Sequence, residues 1–197
     1  MGIGKFVNKK IFLLPGEYGF TDKKHVRLNP SYQILSAYDL FSTHSNHKIW
    51  IKIKQDANWL IQQSFNEATN LPADWLWFDL QSGALIKRSP QFGYEAIRIY
   101  LYQFWEKKRT IYWSPQTMFE FFEKNDFIYS QFEFSNATKK YPYTALSGIY
   151  QIYALQAKQM GRITLSKKLH EKALEKLLKG KQEYYGYSLF LLAGMTI

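Results

Sequence analysis

Residues 92–105, FGYEAIRIYLYQFW, set a single carboxylate among five aromatic rings, Phe92, Tyr94, Tyr100, Tyr102 and Phe104, and close on Trp105. Arg98 follows Glu95 by three positions, so on a helix the acid and the guanidinium share a face, with Tyr94 beside the acid. Two readings fit that spacing. One is an acid in the first turn of a helix, favoured by the helix dipole and paired with the arginine. The other is a general base or nucleophile in a ring-lined groove that holds a sugar. Glycoside hydrolysis uses two carboxylates across the scissile bond, so Glu95 supplies half of such a mechanism. Glu17, Asp22, Asp74 and Asp79 are the other acids of note, and each also suits a turn or a helix cap.

Three more rings are open to a stacking role or to a place in the core. LNPSY places Tyr32 one turn into a segment capped by Asn29, with Pro30 at the first helical position. LPADWLWFD places Trp75 and Trp77 two apart, so in an extended segment they face the same way, either as a carbohydrate platform or as a lid over the core. His44 and His47 flank a Ser/Asn turn without a carboxylate companion, and no metal site is expected. There is no phosphate-cradling glycine motif and no serine elbow, so no cofactor is expected. SKKLHEKALEKLLKGK aligns Leu165, Leu169, Leu174, Leu177 and Leu178 against a lysine face that Glu171 and Glu175 interrupt, which reads as a solvated helix. Asn136-Ala137-Thr138 is a glycosylation triplet whose use depends on the host.

The elements that must position these groups are mostly helices. A strand and turn open the chain, since IFLL runs into Pro15 and Gly16. A first helix is expected in LNPSYQILSAYDLFSTHS, capped by Asn29 and starting at Pro30, with Ile34, Leu35, Tyr38 and Phe41 spaced for one buried face. A second places Trp50, Ile53, Ala57, Leu60, Ile61 and Phe65 in the same way. Pro72, Gly83 and Pro90 then mark a long loop around 70–92, with room for a short hairpin. Helical stretches follow near 94–107, 114–125, 143–159, 163–179 and 182–195, with Pro115, Pro142, Gly161 and Gly180 at the joints. This is an all-α pattern of about seven helices without a convincing sheet. The 197 residues suit a single domain, 1–197, built as helix hairpins.

Composition narrows the partners. The chain is 46% hydrophobic, which is enough to fold, and it carries no run long and apolar enough for a membrane span and no recognisable signal peptide. Cysteine is absent, which removes disulfides and thiolate chemistry. The formal charge of +10 favours acidic partners such as nucleic acid, anionic lipid or acidic polysaccharide. The aromatic share of 18% points to stacking on sugars or bases.

Five strings, LLPGEYGF, LNPSYQILSAYDLFS, LPADWLWFD, FGYEAIRIYLYQFW and EYYGYSLFLLAGM, resemble in order and spacing the C-terminal half of glycoside hydrolase family 8. The similarity runs from about residue 11 to 195 and is strongest to endoglucanases of bacterial cellulose and exopolysaccharide synthesis. It implies a partial (α/α)6 toroid whose groove takes a β-glucan or other polysaccharide, an inverting mechanism, and members that are often exported. Glu95 falls at the base position, with Tyr94 and Arg98 holding it and the sugar, and Tyr32, Trp75 and Trp77 become substrate-binding candidates.

The chain departs from the family pattern twice. The family has Tyr-Asp-Ala-x-Arg where this chain has Tyr94-Glu95-Ala96-Ile97-Arg98, which moves the charge by one methylene. The family's general-acid glutamate belongs to the N-terminal half of the toroid, which has no counterpart among these residues. Little endoglucanase activity is therefore expected of the chain alone. A companion chain carrying the missing half, or a homodimer joined near Tyr38, Phe41, Phe190 and Leu191, would cover the helix faces left open. The rival reading is a non-catalytic glycan-binding or scaffold protein of polysaccharide export; a nucleic-acid partner is not expected.

Overall fold

In the computed structural model, residues 4–7, 9–45, 47–106, 113–134, 143–179 and 184–195 are described. The joints proposed at Pro142 and Gly180 and the triplet 136–138 lie outside them.

The N-terminal hairpin pairs β1 (Gly4–Val7) with β2 (Lys10–Leu13). Phe12 is buried from β2 and stacks on Trp59 at a centroid distance of 6.1 Å. β3 (His25–Leu28) comes next, followed by a single 3-10 turn, Pro30–Tyr32. Asn29 does act as a cap, but for this turn: its Oδ1 accepts the Ser31 N–H at 2.9 Å. The first α-helix, α1 (Leu35–Ser45), starts three residues later than the turn ends and packs on α2 (Ile49–Ser64). α2 buries Ile53, Ala57, Leu60 and Ile61, the stripe its spacing predicts.

The expectation of no convincing sheet needs correction. The 70–92 segment folds as a hairpin of β4 (Leu76–Asp79) and β5 (Leu85–Arg88), and β3 joins it to give an antiparallel sheet in the order β3-β4-β5. Each strand is four residues long, too short for its alternation to stand out in the sequence. Asp79 builds the turn: its Oδ1 accepts the backbone N–H groups of Gln81 and Ser82, and Gly83 takes a φ of 70°. Val26, Leu28, Leu76 and Phe78 point inward over Phe12 and Leu60, while Arg27 and Trp77 face outward. A two-residue pair, β6 (Gln91–Phe92) with β7 (Phe132–Glu133), closes the far side.

The remaining helices are α3 (Ile97–Tyr102), α4 (Gln116–Asn125), α5 (Ser147–Gln159), α6 (Ile163–Lys179) and α7 (Tyr184–Gly194). α5 is the axis of the core. Every residue from Ser147 to Ala157 is buried, because α6 and α7 pack on it and α3 lies alongside. The approach of α7 requires Gly148, where a Cβ would fall 2.4 Å from the Leu189 Cβ and 2.5 Å from the Gly186 carbonyl oxygen. α6 buries Leu165, Leu169 and Ala173 at i, i+4, i+8, so the expected leucine face turns by one position. Leu174 and Leu178 are exposed. Tyr38, expected at an open face, is 3% exposed; its ring stacks on Trp50 at 6.1 Å and its hydroxyl donates to Gln33 at 2.9 Å. Phe41 and Leu191 are exposed as expected, and Phe190 is partly buried. Among the described residues no helix is long and apolar enough to cross a membrane. Among the described residues α1 pairs with α2, and α3, α6 and α7 pack on α5, the helix-on-helix arrangement of an α/α toroid.

Candidate active site

Glu95 lies in the turn before α3 rather than in its first helical turn; the helix is capped by Ala96. Its Oε2 accepts the Asn29 side-chain amide at 2.8 Å and a close hydrogen bond from Arg98 Nη2. Arg98 Nη2 also donates to Ser31 Oγ at 3.0 Å, and Ser31 Oγ donates to Asn29 Oδ1 at 2.7 Å. Asn29, Ser31, Arg98 and Glu95 thus form a closed ring of hydrogen bonds. Asn29 and Ser31 are buried, while the Glu95 side chain keeps 31% of its surface exposed. Among the described residues no donor reaches Oε1. A carboxylate fixed through one oxygen and open at the other keeps that second oxygen available to accept a hydrogen bond or a proton.

The turn is itself held from behind by Asp74, which the sequence offers only as a turn or cap acid. Asp74 Oδ1 accepts the N–H groups of Gly93 at 3.1 Å and Ala96 at 2.8 Å, bracketing Tyr94 and Glu95. A Cβ at position 93 would lie 2.7 Å from Asp74 Oδ2, so this contact needs glycine. Burial pushes the Asp74 carboxyl up to about 6; the Ala96 N–H opposes the shift, the Glu95 charge adds to it, and the Gly93 N–H opposes it again. From the other side Tyr185 of α7 donates its hydroxyl to the Tyr94 carbonyl in a short hydrogen bond, and the two rings meet edge to face at 6.1 Å. Tyr94 therefore anchors the turn to α7.

The stacking candidates separate. Tyr32, 40% exposed, has the Arg98 guanidinium 5.0 Å from its ring centre, so it stands beside the acid and open to solvent. Trp75 meets Tyr32 edge to face at 6.1 Å, but its own faces are engaged: Phe20 stacks at 5.9 Å and the Arg27 guanidinium lies 3.8 Å from its centre. Trp77 is one pleat further out on the same side of β4, with Arg27 at 5.2 Å and Lys87 at 5.4 Å. Tyr32, Tyr94, Trp75, Glu95 and Arg98 come together, and Trp77 extends the row. Asn29 and Ser31 were legible in sequence only as a cap motif. Arg27 and Tyr185 carried no signal and Asp74 only that of a turn or cap acid, because each acts through a partner outside its own local segment.

The sequence profile of Glycosyl hydrolases family 8 matches residues 5–196. The chain belongs to this family. It is 36% identical over 102 residues to a Novacetimonas hansenii protein named "Probable endoglucanase", an overlap of 48% of this chain and 29% of that protein. The endoglucanase structure from Komagataeibacter sucrofermentans superposes with a TM-score of 0.69 at 24% identity, over 98% of this chain and 58% of that one. The endo-β-1,4-glucanase of Acetobacter xylinum gives a TM-score of 0.72 at 23% identity, over 98% and 58%. The fold of this family 8 chain is thus a partial (α/α)6 toroid, and it spans less than two thirds of the length of these relatives.

Proposed function

We propose that this chain carries the base side of an inverting active site of the endo-β-1,4-glucanase type, acting on a β-glucan or related exopolysaccharide. The observation that carries the reading is the clamp on Glu95 at the family's base position, with Oε2 fixed by Asn29 and Arg98 and Oε1 left open. In inversion the base takes a proton from a water as its oxygen bonds to the anomeric carbon; the glycosidic bonding pair leaves with the departing oxygen, which is protonated by an acid on the opposite side. Glu95 receives the first proton. Tyr32 offers the ring next to it for a sugar face, and Arg98 holds both the acid and the tyrosine.

The acid is supplied by a further helical segment, like that of the longer relatives, in the same polypeptide or in a companion. The surface supports this. Leu40, Phe41, Ile49 and Ile51 of α1 and α2 are exposed, as are Tyr184 and Leu191 of α7, a helix without a charged residue. Apolar surface of this kind marks a place where something packs.

Reducing-end release from a soluble β-glucan tests the reading, measured with the 197-residue chain alone and after adding the N-terminal half of a family 8 endoglucanase. Little release alone, and release with the added half that Glu95→Gln abolishes, is the expected result. Glucan binding without turnover in the completed pair would instead assign a non-catalytic glycan-binding role. Robust hydrolysis by the chain alone would overturn the need for a separate acid.

A further inference from the structure

Across the outer face of the sheet, Arg27, Trp77 and Lys87 stand directly opposite one another on β3, β4 and β5. The two cations flank one indole, at 5.2 and 5.4 Å from its centre, and Arg27 also covers Trp75 at 3.8 Å. Like charges gathered on one sheet face oppose each other unless an acid sits between them. None does: among the described residues Arg27 and Lys87 form no ion pair and donate no side-chain hydrogen bond, and the enclosed Arg27 Nε has no partner. The acids at the ends of these strands take part in turns. Asp22 accepts the N–H groups of Lys24 and His25, and Asp79 those of Gln81 and Ser82. The guanidinium is instead fixed in place by rings, which leaves its outer N–H edge free for an oxyanion.

This row continues the site. Glu95 contacts Arg98, Arg98 lies over Tyr32, Tyr32 meets Trp75, and Trp75 carries Arg27. A chain of sugars laid from Glu95 across Tyr32 toward the sheet arrives at the two unneutralised cations. We propose that Arg27, assisted by Lys87, is a carboxylate-binding subsite, and that the polysaccharide taken by this chain bears acid groups rather than being a neutral glucan. The proposal rests on the glycan-groove reading above and names the substrate class for it.

Binding of cellohexaose and of carboxymethylated cellohexaose to the 197-residue chain, measured by calorimetry at low and at near-physiological salt, tests it. The acidic probe should bind about tenfold tighter at low salt, as a charge-assisted contact predicts, and the preference should shrink as salt rises. Arg27→Gln should remove most of the preference; Lys87→Gln, at an exposed position, should remove part of it without touching the fold. Arg27→Lys should keep part of the preference. A purely structural Arg27 would lower the melting temperature in Arg27→Gln with the preference intact, and that result overturns the proposal, as does equal affinity of the parent chain for both probes. In either case binding of cellohexaose leaves the glycan groove standing, whereas failure of both probes to bind overturns the groove and the acidic subsite together.

Discussion

The Asn29 side-chain amide reaches Glu95 Oε2 at 2.8 Å, joining two residues 66 positions apart. The same amide group accepts the Ser31 N–H and hydroxyl through its oxygen, so it cannot turn over without breaking three bonds. Asn29 therefore fixes Glu95 relative to the turn that carries Tyr32. Replacing it with alanine should cost about 1–2 kcal/mol, the loss of a cap plus a buried hydrogen bond. In the completed toroid the same variant should lower glucan hydrolysis about tenfold or more through misplacement of the base. Urea denaturation and initial-rate assays give the two values, and an unchanged rate would show that Glu95 is positioned without it.

Arg98 should matter more than an exposed ion pair does. Its side chain is 19% exposed and serves Glu95, Ser31 and the Tyr32 ring at once. Arg98→Ala is expected to destabilise by roughly 1–3 kcal/mol, above the ~1 kcal/mol ceiling of surface pairs, and to weaken cellohexaose binding as Tyr32 loses its support. A loss below about 0.5 kcal/mol in denaturation would place the pair with ordinary surface charges.

Asp74 gives the fold a pH dependence with a definite sign. Its carboxyl is raised to about 6 in the folded chain, chiefly by burial, against about 3.9 unfolded. Between those values the folded state holds a proton that the unfolded state has lost, so its contribution is fully present below about pH 4 and is lost as pH rises through about 6. The loss is on the order of 3 kcal/mol. Asp74→Asn keeps an acceptor for the Gly93 and Ala96 N–H groups and cannot ionise. Its stability relative to the parent should rise steadily from pH 4 to 7. A difference that stays constant over that range, in melts at matched ionic strength, would contradict this account.

The α5–α7 contact leaves no room for a methyl group at position 148. Gly148→Ala should cost about 1–3 kcal/mol as α7 is pushed outward, and it should loosen the Tyr185 contact to Tyr94. Thermal melting measures the first effect. Tyr185→Phe, which removes only the hydroxyl, provides the comparison for the second.

The open apolar faces of α1, α2 and α7 should be visible in solution. The 197-residue chain is expected to bind a hydrophobic dye or to self-associate at micromolar concentration, and adding the complementary toroid half should suppress both. A monomer in sedimentation that binds no dye would mean that these faces need no cover.

Much was determined by the sequence on its own. The apolar spacing of α2, the helix at 163–179 and the breaks at Pro115 and Gly161 are local properties, set by side-chain periodicity and backbone freedom, and they appear in the fold where the residues put them. The Glu95–Arg98 pair is legible too, since a separation of three positions brings the two together, here across the turn that enters α3. The sheet was not legible: four-residue strands carry too little alternation, and their pairing across residues 25–88 is a tertiary choice. The same holds for the support of the candidate base. Asn29, Asp74 and Tyr185 reach the turn at 93–96 from three distant places in the chain, and no local pattern encodes a hydrogen bond over 66 or 91 residues. Which helix face stays open was also decided in three dimensions. Tyr38 and Phe41 both pack on Trp50 of the neighbouring helix, one ring flat and the other tilted, yet Tyr38 is buried and Phe41 is left half in solvent.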